Sequence, residues 1–363
     1  MRLAFALFLV VSTAEALAQV RFTPEFKQAN RGKWTVEVPE VQELVHIVFA
    51  LTERGQKDNN MVQHEGSYYQ EVMRHFLLFK NQRLIKDFND ELNRGMYARL
   101  KMDACGFYFD NDHIVRDKTY DQLNWDNKNH LEKFIPKLEV FAQLSGFRKF
   151  FEAHQSFYQT QIELAKKQMP IDRQWKWLEE RFPQRYDHYR ITFSPLVNGS
   201  HSTNRFMTDD FKQTVMFICG PIESLWLNDN VKEGLMTRVV FTEIDHNYVN
   251  PTTDRFSIRI DKIFDDRKKW TGQGDALNYK TPYMVFNEYM TWAVFTLYAY
   301  DHFEPADFDA INVRTEKLMT ERRGFIKFRE FNAALLALYK ARQGNQTIPD
   351  LYPAILTWCE AAP

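Results

Sequence analysis

Cysteine is scarce. The 363 residues contain three, Cys105, Cys219 and Cys359. They are far apart and form no C-x-x-C, which excludes a small disulfide-framed scaffold and a thiolate zinc knuckle. An exported chain can oxidise one pair and leave one thiol, or keep all three as small buried hydrophobes. Glycine and proline are also sparse, 13 of each, so the chain is neither collagen-like nor a low-complexity linker. Excess charge is missing too: 47 Lys and Arg face 48 Asp and Glu, a net charge of -1. With no long basic run, nothing draws in nucleic acid. Beyond the N-terminus no apolar stretch is long enough to span a bilayer. There is no G-x-S-x-G elbow and no P-loop.

What the sequence does contain is apolar and aromatic. Hydrophobic residues make up 44% and phenylalanine alone supplies 31, enough to fill a large core in one domain or two coupled lobes. The first residues read as a secretory signal: Arg2, a short apolar run from Leu3 to Val11, and the small-x-small site Ala16 to Ala18. The mature protein is therefore expected outside the cytoplasm, periplasmic or extracellular, with no membrane attachment once the signal is cut. "NGS" at 198 and "NQT" at 345 match the glycosylation sequon, which matters only in a eukaryotic secretory pathway.

Periodicity predicts mostly helices. Val41, Leu44, Val45, Val48 and Leu51 recur at three and four, behind Pro39 and ahead of Gly55. Further helices are expected near 68–79, 84–92, 129–144, 147–167 and 171–181. Two β-rich runs follow, "HYRITFSPL" and "QTVMFICGP". Helices return near 232–248, 281–303, 307–322, 326–342 and 349–360. The expected fold class is mainly α with a small sheet (α+β). The expected organisation is a signal over 1–18, an N-terminal helical lobe over 19–185 and a second lobe over 186–363, with no flexible linker between the lobes.

The chemistry centres on "TEIDH", Thr242 to His246. A histidine at 242 would complete H-E-x-x-H, in which two imidazoles four apart on one helix face grip zinc and the Glu serves as base to the bound water. Glu243 holds the base position and His246 a ligand position, while Thr242 stands in the other ligand position as a neutral hydroxyl. Glu288, in "FNEYMTWA", is a carboxylate inside an apolar run, costly unless paired or ligated. A plain i,i+3 helix pair is the ordinary alternative for Glu243 and His246. E-x-x-H also serves di-iron bundles, which need the motif twice plus two further Glu, and no convincing second copy is found. His64-Glu65 has no His at 68.

The sequence resembles an uncharacterised family of exported bacterial proteins with a gluzincin-like H-E-x-x-H followed by "VNP". The similarity lies in "TEIDHNYVNP" (242–251), "NEYMTWA" (287–293), "FSPL" (193–196), "EVPEVQELVHIVFALT" (37–52) and "RGFIKF" (323–328). It implies a gluzincin-like metallopeptidase architecture, with His246 and Glu288 as zinc ligands, Glu243 as catalytic base and a peptide or protein as substrate. Thr242 departs from it. The expectation is a homologue impaired in catalysis that acts as a binding or scaffold protein, with zinc held weakly or not at all. The alternative is an active zinc hydrolase with a replacement ligand, Asp245, His201 or His302. Tyr283, Tyr298, Tyr300 and His302 are candidate oxyanion partners, against an ordinary core role.

Overall fold

The computed structural model describes residues 20–120, 128–199 and 201–362. The expected signal segment and its cleavage site lie outside them. Helix accounts for 63% of the structure and a small sheet accompanies it, so the α+β expectation holds at the level of class. Among the described residues no helix is long and apolar enough to cross a membrane.

The main sheet has four strands. β1 is Lys33–Glu37, while β2 (Phe107–Asp110) and β3 (His113–Arg116) form a separate hairpin. β4 (His188–Ser194), β5 (Ser202–Thr208) and β6 (Phe211–Cys219) complete the main sheet in the order β1-β4-β6-β5. β1, β4 and β6 run parallel, and β5 pairs antiparallel with β6 at the edge. The pairing of Val36 with Ile191 joins residues on either side of position 185. One continuous core likewise runs from Val36 to Cys359.

β4 and β6 are the two runs expected as strands. β1 and β5 carry no such signal: "KWTVE" is short, and "STNRFMT" is polar at an edge where one side faces water. The expected helix over 147–167 is two, Phe147–Ala153 and Gln155–Gln168.

Two long helices position the site. The motif helix, Asp229–Asp254, starts at Asn228, whose side chain accepts from Val231 N at 2.8 Å. It was expected to end near Tyr248, ahead of Pro251. It continues because the Asn247 carbonyl, which Pro251 cannot donate to, faces the Tyr186 hydroxyl at 3.4 Å. The facing helix, Pro282–His302, is capped by Thr281, which accepts from Met284 N at 3.2 Å. It is apolar almost all round and buried from Val285 to Ala299 except at Trp292, as such a helix must be. Phe241 packs on Phe295 and Tyr298 between the two helices. All three cysteines are free thiols.

Candidate functional site

Residues four apart share a helix face. Arg238, Thr242 and His246 form such a row on the motif helix, with Glu243 beside it, and all four line one cavity of about 1350 Å3. Glu288 and Trp292, also four apart, enter that cavity from the facing helix. Arg323 enters from just beyond the π-turn Leu318–Arg322. Lys101, His201 and Tyr279 add to the polar wall.

His246 Nε2 lies 3.6 Å from Glu288 Oε1. Two donors at 2.0–2.2 Å on a tetrahedral ion sit roughly 3.3–3.5 Å apart, so the pair has close to the spacing of two ligands of one metal. His246 Nδ1 faces Asn250 Oδ1 at 3.2 Å and Thr291 Oγ1 at 3.5 Å. With Nδ1 facing Asn250, Nε2 faces Glu288 and donates to its carboxylate when the ring is protonated.

Glu288 is held from its other oxygen. Oε2 accepts from Arg323 Nη1 at 3.0 Å and from Trp292 Nε1 at 3.1 Å. Burial works against its charge, but Arg323 and His246 together outweigh it and hold the carboxyl at about 2. For His246, burial disfavours the imidazolium, yet Glu288 and then Glu243 overcome that and raise it. Glu243 is raised, first by burial and then by the charge of Glu288, against the pull of His246, Lys101 and Arg323. A raised carboxyl is the property a general base near neutral pH needs.

Thr242 contributes nothing to this pair. Its Oγ1 donates back to Arg238 O at 3.0 Å and lies 3.3 Å from Val239 O, the usual bond of a mid-helix threonine. Among the described residues no group of three or more His, Cys, Asp or Glu is placed to hold a metal. Catalytic zinc keeps three protein ligands, so the residues present do not fit a complete zinc site.

The replacement ligands fare unequally. Asp245 is fully buried away from the cavity wall, with neither carboxylate oxygen hydrogen-bonded among the described residues. His302 stacks on Tyr298 at 4.2 Å and its Nδ1 bonds the Tyr298 carbonyl, beside Arg173 and Arg181. His201 lines the cavity, its Nε2 buried and without a partner among the described residues. Burial first, then Lys101, Arg323 and Arg238, push it down to about 3, so it is neutral.

The oxyanion candidates stand elsewhere. Tyr283 bonds Asp254 at 2.6 Å, Tyr298 accepts from Arg173, and Tyr300 packs on Phe308. None lines the cavity. Tyr68, Tyr97 and Tyr279 line it instead, and the Tyr279 hydroxyl accepts from Arg323 Nη2 at 2.7 Å. Sequence reasoning missed Tyr279, Arg238 and Lys101, and gave Arg323 no role. Arg323 had one signal, its place in "RGFIKF"; the other three had none, since each stands among ordinary helix or loop residues.

No family model matches this chain, and no curated protein or solved structure matches it. The reading of the site rests on its own residues.

Proposed function

We propose that this chain is an exported gluzincin-like metallopeptidase homologue that has lost stable zinc and keeps its cleft as a binding site for a peptide or protein. The observation that carries the reading is the state of the two outer ligand positions. Thr242 has turned its hydroxyl into its own helix, while Glu288 and His246 still stand at metal-ligand spacing. Glu243 lines the same cavity, which gathers the carboxylate, imidazole and glutamate of the motif around one space. β5 supports a peptide as the ligand class: it is one of the two edge strands of the sheet, its first residue lines the cavity, and an extended peptide can add to a sheet edge.

The second reading, an active zinc hydrolase with a replacement ligand, has one observation in its favour. His201 is neutral, faces the same cavity and has an unpartnered Nε2. Elemental analysis of the mature protein after dialysis against trace zinc separates the two. The first reading expects well under one zinc per chain. One retained zinc, lost in His201→Ala, establishes the second.

A further inference from the structure

The cavity wall holds a cation that the zinc ancestry leaves unexplained. Arg238 donates one hydrogen bond, from Nη1 to Thr315 Oγ1 at 3.2 Å, and makes no ion pair among the described residues. Its Nε is buried without a partner. A half-buried guanidinium with most of its donors unused is costly unless a partner arrives. Burial first, then the like charge of Arg323, push Arg238 down to about 10, so it stays charged at neutral pH.

Arg323 is different. It is matched by Glu288, Tyr279 and, at 3.7 Å, Asp275. Both guanidinium groups lie over the same indole, Arg323 Cζ at 4.7 Å and Arg238 Cζ at 5.5 Å from the Trp292 centroid. Two like charges at one ring leave a positive region at Arg238, because Glu288 is paired with Arg323 and no carboxylate is paired with Arg238 among the described residues. Glu65, Glu223, Glu243 and Asp275 also line the cavity, and none of them bonds Arg238 among the described residues.

We propose that Arg238 anchors the oxyanion of an organic ligand, a carboxylate or a phosphate, in this cavity. Guanidinium binds both groups through its paired N–H donors. The wall is mixed, and its apolar part, Tyr97, Phe157, Ile222, Leu235, Val239 and Met284, can receive an apolar body attached to that anion. At about 1350 Å3 the cavity exceeds the roughly 300–1,000 Å3 of ordinary small-molecule sites, so a short peptide fits as well as a smaller organic acid. Next in sequence to the lining residues Ile222 to Ser224, Leu225 and Trp226 stand 90% and 93% exposed. The inference takes from the proposed function only that the cavity receives a ligand. It does not depend on the history of the zinc site.

The test uses the mature protein and three probes: N-acetyl-Phe-Ala as the free acid, the same dipeptide as the amide, and inorganic phosphate. Binding is followed by calorimetry and by tryptophan fluorescence. The free acid is expected to bind at least tenfold tighter than the amide, and Arg238→Gln to lose at least tenfold of that affinity while Arg238→Lys loses less. Phosphate binding that is lost in Arg238→Gln, with no dipeptide binding, supports the site and identifies phosphate as the source. Equal affinity for acid and amide overturns the inference, as does an affinity unchanged in Arg238→Gln, or no binding of any probe by folded wild type. Should Arg238→Gln fail to fold, the acid–amide ratio on wild type decides alone. Stoichiometric zinc in wild type would sink the proposed function and leave this result untouched.

Discussion

Arg323 Nη1 lies 3.0 Å from Glu288 Oε2, on the opposite oxygen from the one that faces His246. The carboxylate thus has a fixed cation on one side and a titrating one on the other. Glu288 and Arg323 are only 8% and 14% exposed, so solvent screens their attraction little, and removing either partner strands the other.

Arg323→Met should therefore destabilise the fold by about 3 kcal/mol, the lower end for breaking a buried pair, read by urea unfolding at pH 6. An effect under about 1 kcal/mol would show the pair to be solvated and unimportant.

The pH dependence has a defined sign. Glu288 is depressed from 4.5 to about 2, so its contribution is fully present above 4.5 and lost as pH falls through about 2. His246 is raised from 6.5, so its contribution is fully present below 6.5 and lost as pH rises through its folded value. The pair is strongest between pH 4.5 and 6.5. Glu288→Gln should flatten the stability profile at both its acid and its alkaline edge. A mutant profile parallel to wild type would contradict the assignment.

Asp245 is expected to destabilise the native state. Burial, reinforced by Glu288 and Glu243, raises its carboxyl well above 3.8. A raised acid binds its proton more tightly when folded, so its stability contribution declines as pH rises above 3.8. Asp245→Asn, which removes the titration at nearly constant volume, should raise Tm at pH 7 and gain little at pH 4. A lower Tm at pH 7 would mean that the carboxylate is ionised and satisfied.

Gly324 fixes where Arg323 sits. Its φ is +83°, and a Cβ there would stand 1.9 Å from the Gln273 backbone oxygen. Its own carbonyl accepts from Gly272 N at 2.7 Å. Gly324→Ala meets both a left-handed backbone penalty of about 1–2 kcal/mol and a backbone clash. It should lower Tm more than Gly344→Ala, where φ is +51° and no atom lies within 4 Å of the added Cβ. Equal losses would mean that the turn at 324 relaxes freely.

Much of this site was legible before the structure. His246 and Glu288 are read from spacing and from an acid in an apolar run, and both reach one cavity. The helix through Pro251 was not legible, because what sustains it is a hydroxyl 61 residues away, Tyr186 on the Asn247 carbonyl. β1 and β5 were missed because short or polar edge strands carry no alternation. Arg238 reads as a surface charge on any helical wheel. Only the convergence of two helices and the 323 turn over Trp292 makes it a cavity residue, and convergence of this kind leaves no trace in local sequence. The oxyanion candidates failed for the same reason: Tyr298 and Tyr300 sit on the facing helix but on faces that meet Arg173 and Phe308 instead.

The most direct measurement is zinc content in wild type and in Thr242→His, determined by elemental analysis after dialysis against trace zinc. With Glu243, His246 and Glu288 already around the cavity, restoring the missing imidazole should supply the third ligand. The account predicts well under one zinc per chain in wild type and one in Thr242→His, with that zinc lost again in Thr242→His combined with Glu288→Gln. If folded Thr242→His takes up no more zinc than wild type, His246 and Glu288 are an ordinary buried ion pair and the metallopeptidase ancestry of the site is contradicted.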